Sequence, residues 1–257
     1  MAETLRVGIA GLGTVGAETF RILSERKDIL LSRSGKKIEV VAVSSQDRHM
    51  DRGIDLSGVE WVDDARKLCL MPNVDVVVEL IGGAEGIAKD IAEATVKNNK
   101  YFVTANKALI AHYGDEIGKN AEKNDVSIGF EAAVAGGIPI IKTLREGLGG
   151  NQFTRVYGIL NGTCNYILSE MRETGRDFKD VLTDAQALGY AEADPSFDID
   201  GIDAAHKLSI LASIVFQTKI NFEAIHTEGI RFISPIDLEF ATELGFRIKL
   251  LGIAEIK

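Results

Sequence analysis

The chain opens on a short β-type run from Arg6 to Ala10 that ends in glycines, after which Val15, Thr19, Ile22 and Leu23 recur at helical spacing. A polar turn is expected at Ser32–Lys37, followed by a buried-strand pattern over Ile38–Val43. Further apolar runs at Val74–Leu80, Tyr101–Thr104 and Val126–Phe130 alternate with helix-like stretches at Gly86–Asn98 and Ala108–Asn124. Strands that alternate with helices predict a parallel sheet joined by right-handed crossovers.

The rhythm changes after Phe130. Glu131–Pro139 is small and glycine-rich, Ile140–Gly147 reads as helix, and Phe153–Leu160 as strand followed by a helix through Met171. Asp177–Leu188 predicts a helix stopped by Gly189. Ile202–Phe216 is a long apolar helix, and Ser234-Pro235 supplies N-cap and N1 of another, ending near Gly245. A strand-like run, Arg247–Ile256, closes the pattern. The expected division is an α/β domain over 1–130 and a smaller α+β domain over 131–257. Because the pattern stops inside a strand, the second domain is expected to be incomplete and the chain to be part of a longer protein.

Composition narrows the function classes. A length of 257 residues with 46% hydrophobic and 26% charged positions is that of a soluble globular protein of one to two domains. A net charge of −9 without any basic run argues against nucleic acid. Cys69 and Cys164 are too few for a disulfide framework and point to a reducing compartment. No zinc-ligand spacing, membrane-length apolar stretch or signal-peptide pattern is present, so a cytoplasmic protein without a membrane partner is expected.

Gly11-Leu-Gly13-Thr14-Val15-Gly16 matches G-x-G-x-x-G between a strand and a helix. Gly11 permits the tight turn, Gly13 lets the backbone approach a pyrophosphate, and Gly16 allows close helix–strand packing. The helix N-terminus adds unpaired N–H groups and positive dipole. A Rossmann-type dinucleotide domain is the expectation. The end of the second strand reads Val43-Ser44-Ser45-Gln46-Asp47-Arg48, with hydroxyls where an NAD-preferring site places a carboxylate. Arg48 could meet a 2′-phosphate, which leans toward NADP, while Asp47 keeps NAD open.

Hydride chemistry also needs a proton acceptor and groups that orient the substrate. Thr104-Ala-Asn106-Lys107 falls beyond a strand's carboxyl end, where Lys107 can reach substrate or cofactor or simply open the next helix. The turn-rich segment from Gly189 to Asp198 carries Glu192, Asp194 and Asp198, either an ammonium trap or a polar loop with caps. Asp203 and Lys207 share one face of an otherwise apolar helix, as a surface pair or as a sheltered lysine usable for proton transfer. His206 reads as packed or solvated.

These segments together resemble the homoserine dehydrogenase family from about Arg6 to the end of the chain. The resemblance rests on GLGTVG, TANK, EAAVAGGIP, NGTCNYIL, the long GYAEADPSFDIDGIDAAHK and TEGI. It implies interconversion of L-homoserine and L-aspartate 4-semialdehyde with NAD or NADP, in the threonine and methionine branch of aspartate-derived biosynthesis. By position it implies that Lys207 is the main acid/base group, with Lys107 beside it. Glu192, Asp198 and Asp203 would orient homoserine, helped by Tyr190, Gly162 and Thr163, and Asn161 would lie where nicotinamide and substrate meet. A sodium ion would be held by carbonyls of Glu131, Val134, Gly136 and Ile138, and the full-length protein would be a homodimer. The family's later glycine-rich segment followed by P-T-A, which also touches the cofactor, has no counterpart here. Two other classes remain open at this point: a dinucleotide-binding sensor without chemistry, and an oxidoreductase for another small polar alcohol.

Overall fold

Val76-Val-Val-Glu79 is buried at every position, as a strand covered on both faces must be. The computed structural model describes residues 3–256; Met1, Ala2 and Lys257, at the ends of the two expected domains, lie outside them. Along the first part run β1 (Thr4–Ala10), α1 (Thr14–Glu25), α2 (Lys27–Ser34), β2 (Lys37–Ser44), β3 (Glu60–Trp61) and β4 (Val76–Glu79). They are followed by α3 (Ile87–Lys97), β5 (Tyr101–Thr104), α4 (Lys107–Lys123) and β6 (Ile128–Gly129). The turn expected over 32–37 is narrower, because α2 continues through Ser34 and is ended by Gly35 at φ +72. The two-residue strand β3, too short to leave a periodic signature, adds an edge to the sheet.

All six strands are parallel, in the order β3-β2-β1-β4-β5-β6. Val76 and Val78 pack with Val7, Ile9, Phe20 and Val43 on one face; Val77 packs with Ala42, Leu68, Ile91, Phe102 and Leu109 on the other. That two-residue alternation is the pleat, and it makes the valine run obligatory. The strand order reverses between β1 and β4, and the loops after them flank the crevice where open α/β sheets take their ligands. Register aligns Ser44, Ala10, Glu79 and Thr104 in one row across the strand ends.

The described residues separate into two units, one up to Ile140 and one from Ile141. The 3₁₀ turn Glu131–Ala133 lies against β5, so the glycine-rich stretch over 131–140 groups with the first unit. The helix expected over 140–147 is a short turn, α5 (Ile140–Lys142), continued as a π-type turn over Thr143–Gly147. Next come β7 (Arg155–Gly158), α6 (Gly162–Thr174), α7 (Phe178–Ala187), α8 (Ser196–Ile199), α9 (Ile202–Phe216), α10 (Pro235–Glu243) and β8 (Gly252–Glu255). Gly189 lies just past α7 at φ +77, and Ser234 closes a capping box with Asp237 at the head of α10. The core of this unit joins Ile167, Leu168 and Met171 of α6 to Val181, Ile199 and Leu238. Among the described residues no helix is long and apolar enough to cross a membrane.

β8 is shorter than the strand expected over Arg247–Ile256. It pairs antiparallel with β7, Tyr157 opposite Ile253, but only from Gly252 on. Just before it, the Asn165 side chain accepts from Leu250 N at 3.2 Å and donates to Leu250 O at 3.0 Å. A side-chain amide thus takes the backbone bonds that a neighbouring strand would have made. Asn165→Ala strands both Leu250 groups, and a loss of about 1–3 kcal/mol in urea unfolding is expected. A loss below about 0.5 kcal/mol would show that solvent satisfies that backbone instead.

Candidate active site

The three glycines of the loop after β1 are required for three separable reasons. Gly11, at φ +99, would place a Cβ 2.6 Å from Leu80 O, and its N–H donates to Ser44 O at 2.8 Å. Gly16 would put a Cβ 1.9 Å from Gly11 O, so helix α1 can sit this close to the loop only with a bare Cα. Gly13, at φ −70 and ψ −165, is in extended backbone that any residue adopts, and nothing lies within 4 Å of its missing Cβ. Its side is open, and as N-cap of α1 it offers no side-chain oxygen to the helix N-terminus that Thr14 and the exposed Val15 begin. That leaves helix-end donors and dipole for an anion. In front is a cavity of about 530 Å³ lined by Gly11, Leu12, Gly13, Ser44, Ser45 and Gln46, with Asp63–Arg66, Leu80, Ile81 and Ile87 beyond.

Glu79 closes β4 with a carboxylate that is 0% exposed. Oε1 accepts from the backbone of Ile81 at 2.7 Å and Gly82 at 3.0 Å, and Oε2 from Thr104 Oγ at 2.6 Å. The Thr104 hydroxyl in turn accepts from Asn106 N. Asn106 caps α4 through Leu109 N and donates to Gly83 O at 2.6 Å. One buried carboxylate therefore fixes both the cavity wall at Ile81 and the turn that presents Lys107. A cation in a helix's first turn opposes the dipole, so stability alone does not explain Lys107 there. The sequence signal for Glu79 is an acid that closes a valine run, a pattern outside the glycine, lysine and aspartate motifs.

The second unit holds a polar cluster of its own. Lys207 Nζ donates to Asp203 Oδ2 at 2.7 Å and to Leu160 O at 2.9 Å; the side chains are 18% and 2% exposed. Asn161 Nδ2 donates to Asp203 Oδ2 at 2.9 Å and to Asp198 Oδ1 at 2.8 Å, and Asn161 Oδ1 caps α6 through Cys164 N. With both of its amide hydrogens committed, the Asn161 side chain orients the two carboxylates. Two of the three ammonium hydrogens of Lys207 are used, and the α9 pair is a sheltered one. His206 is packed, its ring 4.4 Å from that of Phe222.

Other expected residues lie apart from these groups or nearby. Thr163 Oγ donates to Tyr190 O at 2.9 Å, and the half-exposed Tyr190 ring meets Tyr166, so the head of α6 and the turn after α7 are joined beside Gly162. Glu192 is exposed, and Gln186 Nε2 donates to its carbonyl. Asp194 accepts from Ser196 N, a turn-capping role. Arg48 is exposed and off the cavity lining; Arg52, which sequence reading did not single out, folds back onto the glycine loop. Of the carbonyls assigned to sodium, those of Glu131 and Ile138 accept backbone N–H groups. Both cysteines are buried and unpaired; burial and the nearby Asp198 and Asp203 push the Cys164 thiol up to about 12, which makes it inert.

The glycine geometry yields a contrast. Gly16→Ala should unfold the first unit or lower its melting temperature by roughly 10 °C or more, whereas Gly13→Ala should leave it within about 2 °C. Thermal scans of both variants decide it, and equal destabilisation would refute the division of roles.

Comparison with known proteins bears on both halves. The family described as "Homoserine dehydrogenase, NAD binding domain" matches residues 11–131, and "Homoserine dehydrogenase" matches 139–257. A homoserine dehydrogenase of Pseudomonas aeruginosa is 50% identical over 252 residues, covering 98% of this chain and 57% of that protein. The crystal structure of a homoserine dehydrogenase from Thiobacillus denitrificans superposes with a TM-score of 0.94 at 48% identity, over 98% of this chain and 58% of that one. A hyperthermophilic archaeal homoserine dehydrogenase in complex with NADPH gives 0.81 at 26% identity, over 98% and 79%. The chain thus spans under three fifths of the length of such curated relatives. With a family match to each of its two halves and half of its residues shared with such a relative, this chain belongs to the homoserine dehydrogenase family.

Proposed function

We propose that the chain carries the NAD(P)-binding and homoserine-binding parts of an oxidoreductase interconverting L-homoserine and L-aspartate 4-semialdehyde. The reading rests most on the Asp203–Lys207 pair, a half-buried proton-transfer lysine held by a buried carboxylate on an apolar helix. The expected domain over 1–130 binds the dinucleotide; the one over 131–257 binds the amino-acid substrate. When bound, the nicotinamide exchanges a hydride with the substrate carbon.

The rest falls to the chain's own side chains. With its amine neutral, Lys207 would give its two N–H groups to Asp203 and Leu160 O and take the proton of the C4 hydroxyl on the lone pair left in the third direction, releasing it afterwards to water. Asp203, held by Asn161 as well, keeps the ammonium from rotating away. Asp198 and Glu192 supply carboxylates toward the substrate ammonium, and Tyr190, Gly162 and Thr163 shape that end. Lys107, at the head of α4, serves substrate and cofactor in the first unit. Gly11, Gly13, Thr14, Val15 and Gly16 receive the pyrophosphate, supported by the open side of Gly13 and the archaeal relative's NADPH complex.

Carbonyls suit sodium as neutral hard oxygens. Among the described residues no bond engages the Val134 or Gly136 carbonyl and the Ile138 carbonyl keeps a second lone pair, while the Glu131 carbonyl already accepts from Val134 N and Ala135 N, so the fit rests on the first three. A cytoplasmic homodimer, acting in threonine and methionine synthesis without nucleic-acid or membrane partners, completes the proposal. Its support is the family, the acidic balance and the two unpaired cysteines.

The test is homoserine-dependent reduction of NADP⁺ and NAD⁺. Lys207→Ala should lose about 10²–10⁴-fold in turnover while its affinity for NADPH changes less than about threefold. Equal losses of turnover and dinucleotide binding would make Lys207 structural, and turnover of another alcohol in place of homoserine would reject the assignment.

A further inference from the structure

We infer that Arg52 sets the dinucleotide preference of this chain, selecting a ribose that carries a 2′-phosphate, a role the sequence pattern assigned to Arg48. The inference rests on the proposed dinucleotide cavity and says which form of the ligand it takes. Neither arginine is on the cavity lining, but Arg48 sits on the exposed loop after β2, whereas Arg52 is bonded to two lining residues, Leu12 and Ser45. Arg52 is half-buried, and its guanidinium spans the two elements that meet at the ribose end of such sites. Nε donates to Leu12 O in the glycine loop at 3.0 Å, and one terminal nitrogen donates to Ser45 Oγ at 3.2 Å and to Asp47 O. The other terminal nitrogen donates to Met50 O at 2.9 Å, and the group lies 5.6 Å from the Trp61 ring.

Each of these partners is neutral. Arg52 has no carboxylate partner among the described residues, whereas most arginines placed nearby do: Arg66 pairs with Asp64 and Asp90, and Arg21 with Glu18. An always-charged group held half out of water without a counter-ion leaves a positive field at its neighbours, and Leu12 and Ser45 both line the cavity. The β2 end lines the cavity with Ser44, Ser45 and Gln46, while the acid that follows, Asp47, is off the lining and its carboxylate accepts from His49 N. A 2′-phosphate would meet hydroxyl and amide donors backed by that guanidinium; a bare hydroxyl would gain little from it. Asp63 and Asp64 are the opposing charges on the lining. Asp64 is committed to Arg66, which holds its carboxyl below the usual carboxylate range, and Asp63, which follows the strand paired with the end of β2, is exposed to solvent.

The test is fluorescence titration of the whole chain with NADPH and with NADH, each at low and high salt, for the wild type, Arg52→Gln, Arg52→Lys and Arg48→Gln. The wild type should favour NADPH by about tenfold or more, with the advantage shrinking as salt rises. Arg52→Gln should remove most of that ratio, Arg52→Lys should retain part of it, and Arg48→Gln should leave it within about twofold. Equal weakening of both dinucleotides in Arg52→Gln would make the residue a loop clamp only and overturn the inference. So would a ratio lost in Arg48→Gln but kept in Arg52→Gln, or a wild type that prefers NADH. Should Arg52→Gln fail to fold, the Arg52→Lys ratio and the salt dependence of the wild type still decide. Binding of neither dinucleotide to the wild type would mark failure of the cavity reading itself, and the inference would fall with it.

Discussion

A carboxylate removed from water must be given its hydrogen bonds by the protein, and each half of this chain is arranged around one such group. In the first, Glu79 is satisfied by two backbone N–H groups and a threonine hydroxyl, with no cation among those partners. In the second, Asp203 is satisfied by an ammonium and an amide. Neither can move without stranding a buried charge, so the loops and side chains bonded to them inherit their rigidity. Lys107 follows a turn tied to Glu79; Lys207 is bonded to Asp203 directly.

The glycine loop shows the same economy in backbone rather than charge. Two of its glycines serve the protein's own packing, and the third leaves a surface bare for a ligand. A helix whose first turn has no side-chain cap would ordinarily be a weakness. Here it lies at the strand-order reversal, where the sheet's carboxyl ends diverge, and the missing cap becomes a binding feature.

Much of this was legible in the residues because it depends on short-range patterning. The valine run of β4 and the spacing of α3, α4 and α9 encode burial directly, and strand–helix alternation leaves one sheet class open. GLGTVG and the Asp203–Lys207 spacing likewise carry their geometry locally. What escaped depends on partners far along the chain. Leu250 stays out of β8 because Asn165, 85 residues earlier, takes its bonds. Arg52 displaces Arg48 at the glycine loop because of how a polar loop folds, which no periodicity reports. The Asn161 amide joins Asp198 and Asp203, residues 37 and 42 positions away, a link that no local pattern reports. Family membership and fold were therefore readable, whereas the division of labour within the site needed coordinates.

The account turns on the buried Asp203 and the half-buried Lys207 acting as one unit. The most direct measurement is a double-mutant cycle in urea unfolding with Asp203→Asn, Lys207→Met and the pair. A buried, shared pair predicts a coupling energy of about 1–3 kcal/mol, each single change costing more than its share of the double because it leaves the other group without its partner. Additivity within about 0.3–0.5 kcal/mol would show two independent polar residues on one helix face, and the preorganised lysine at the centre of the account would be lost.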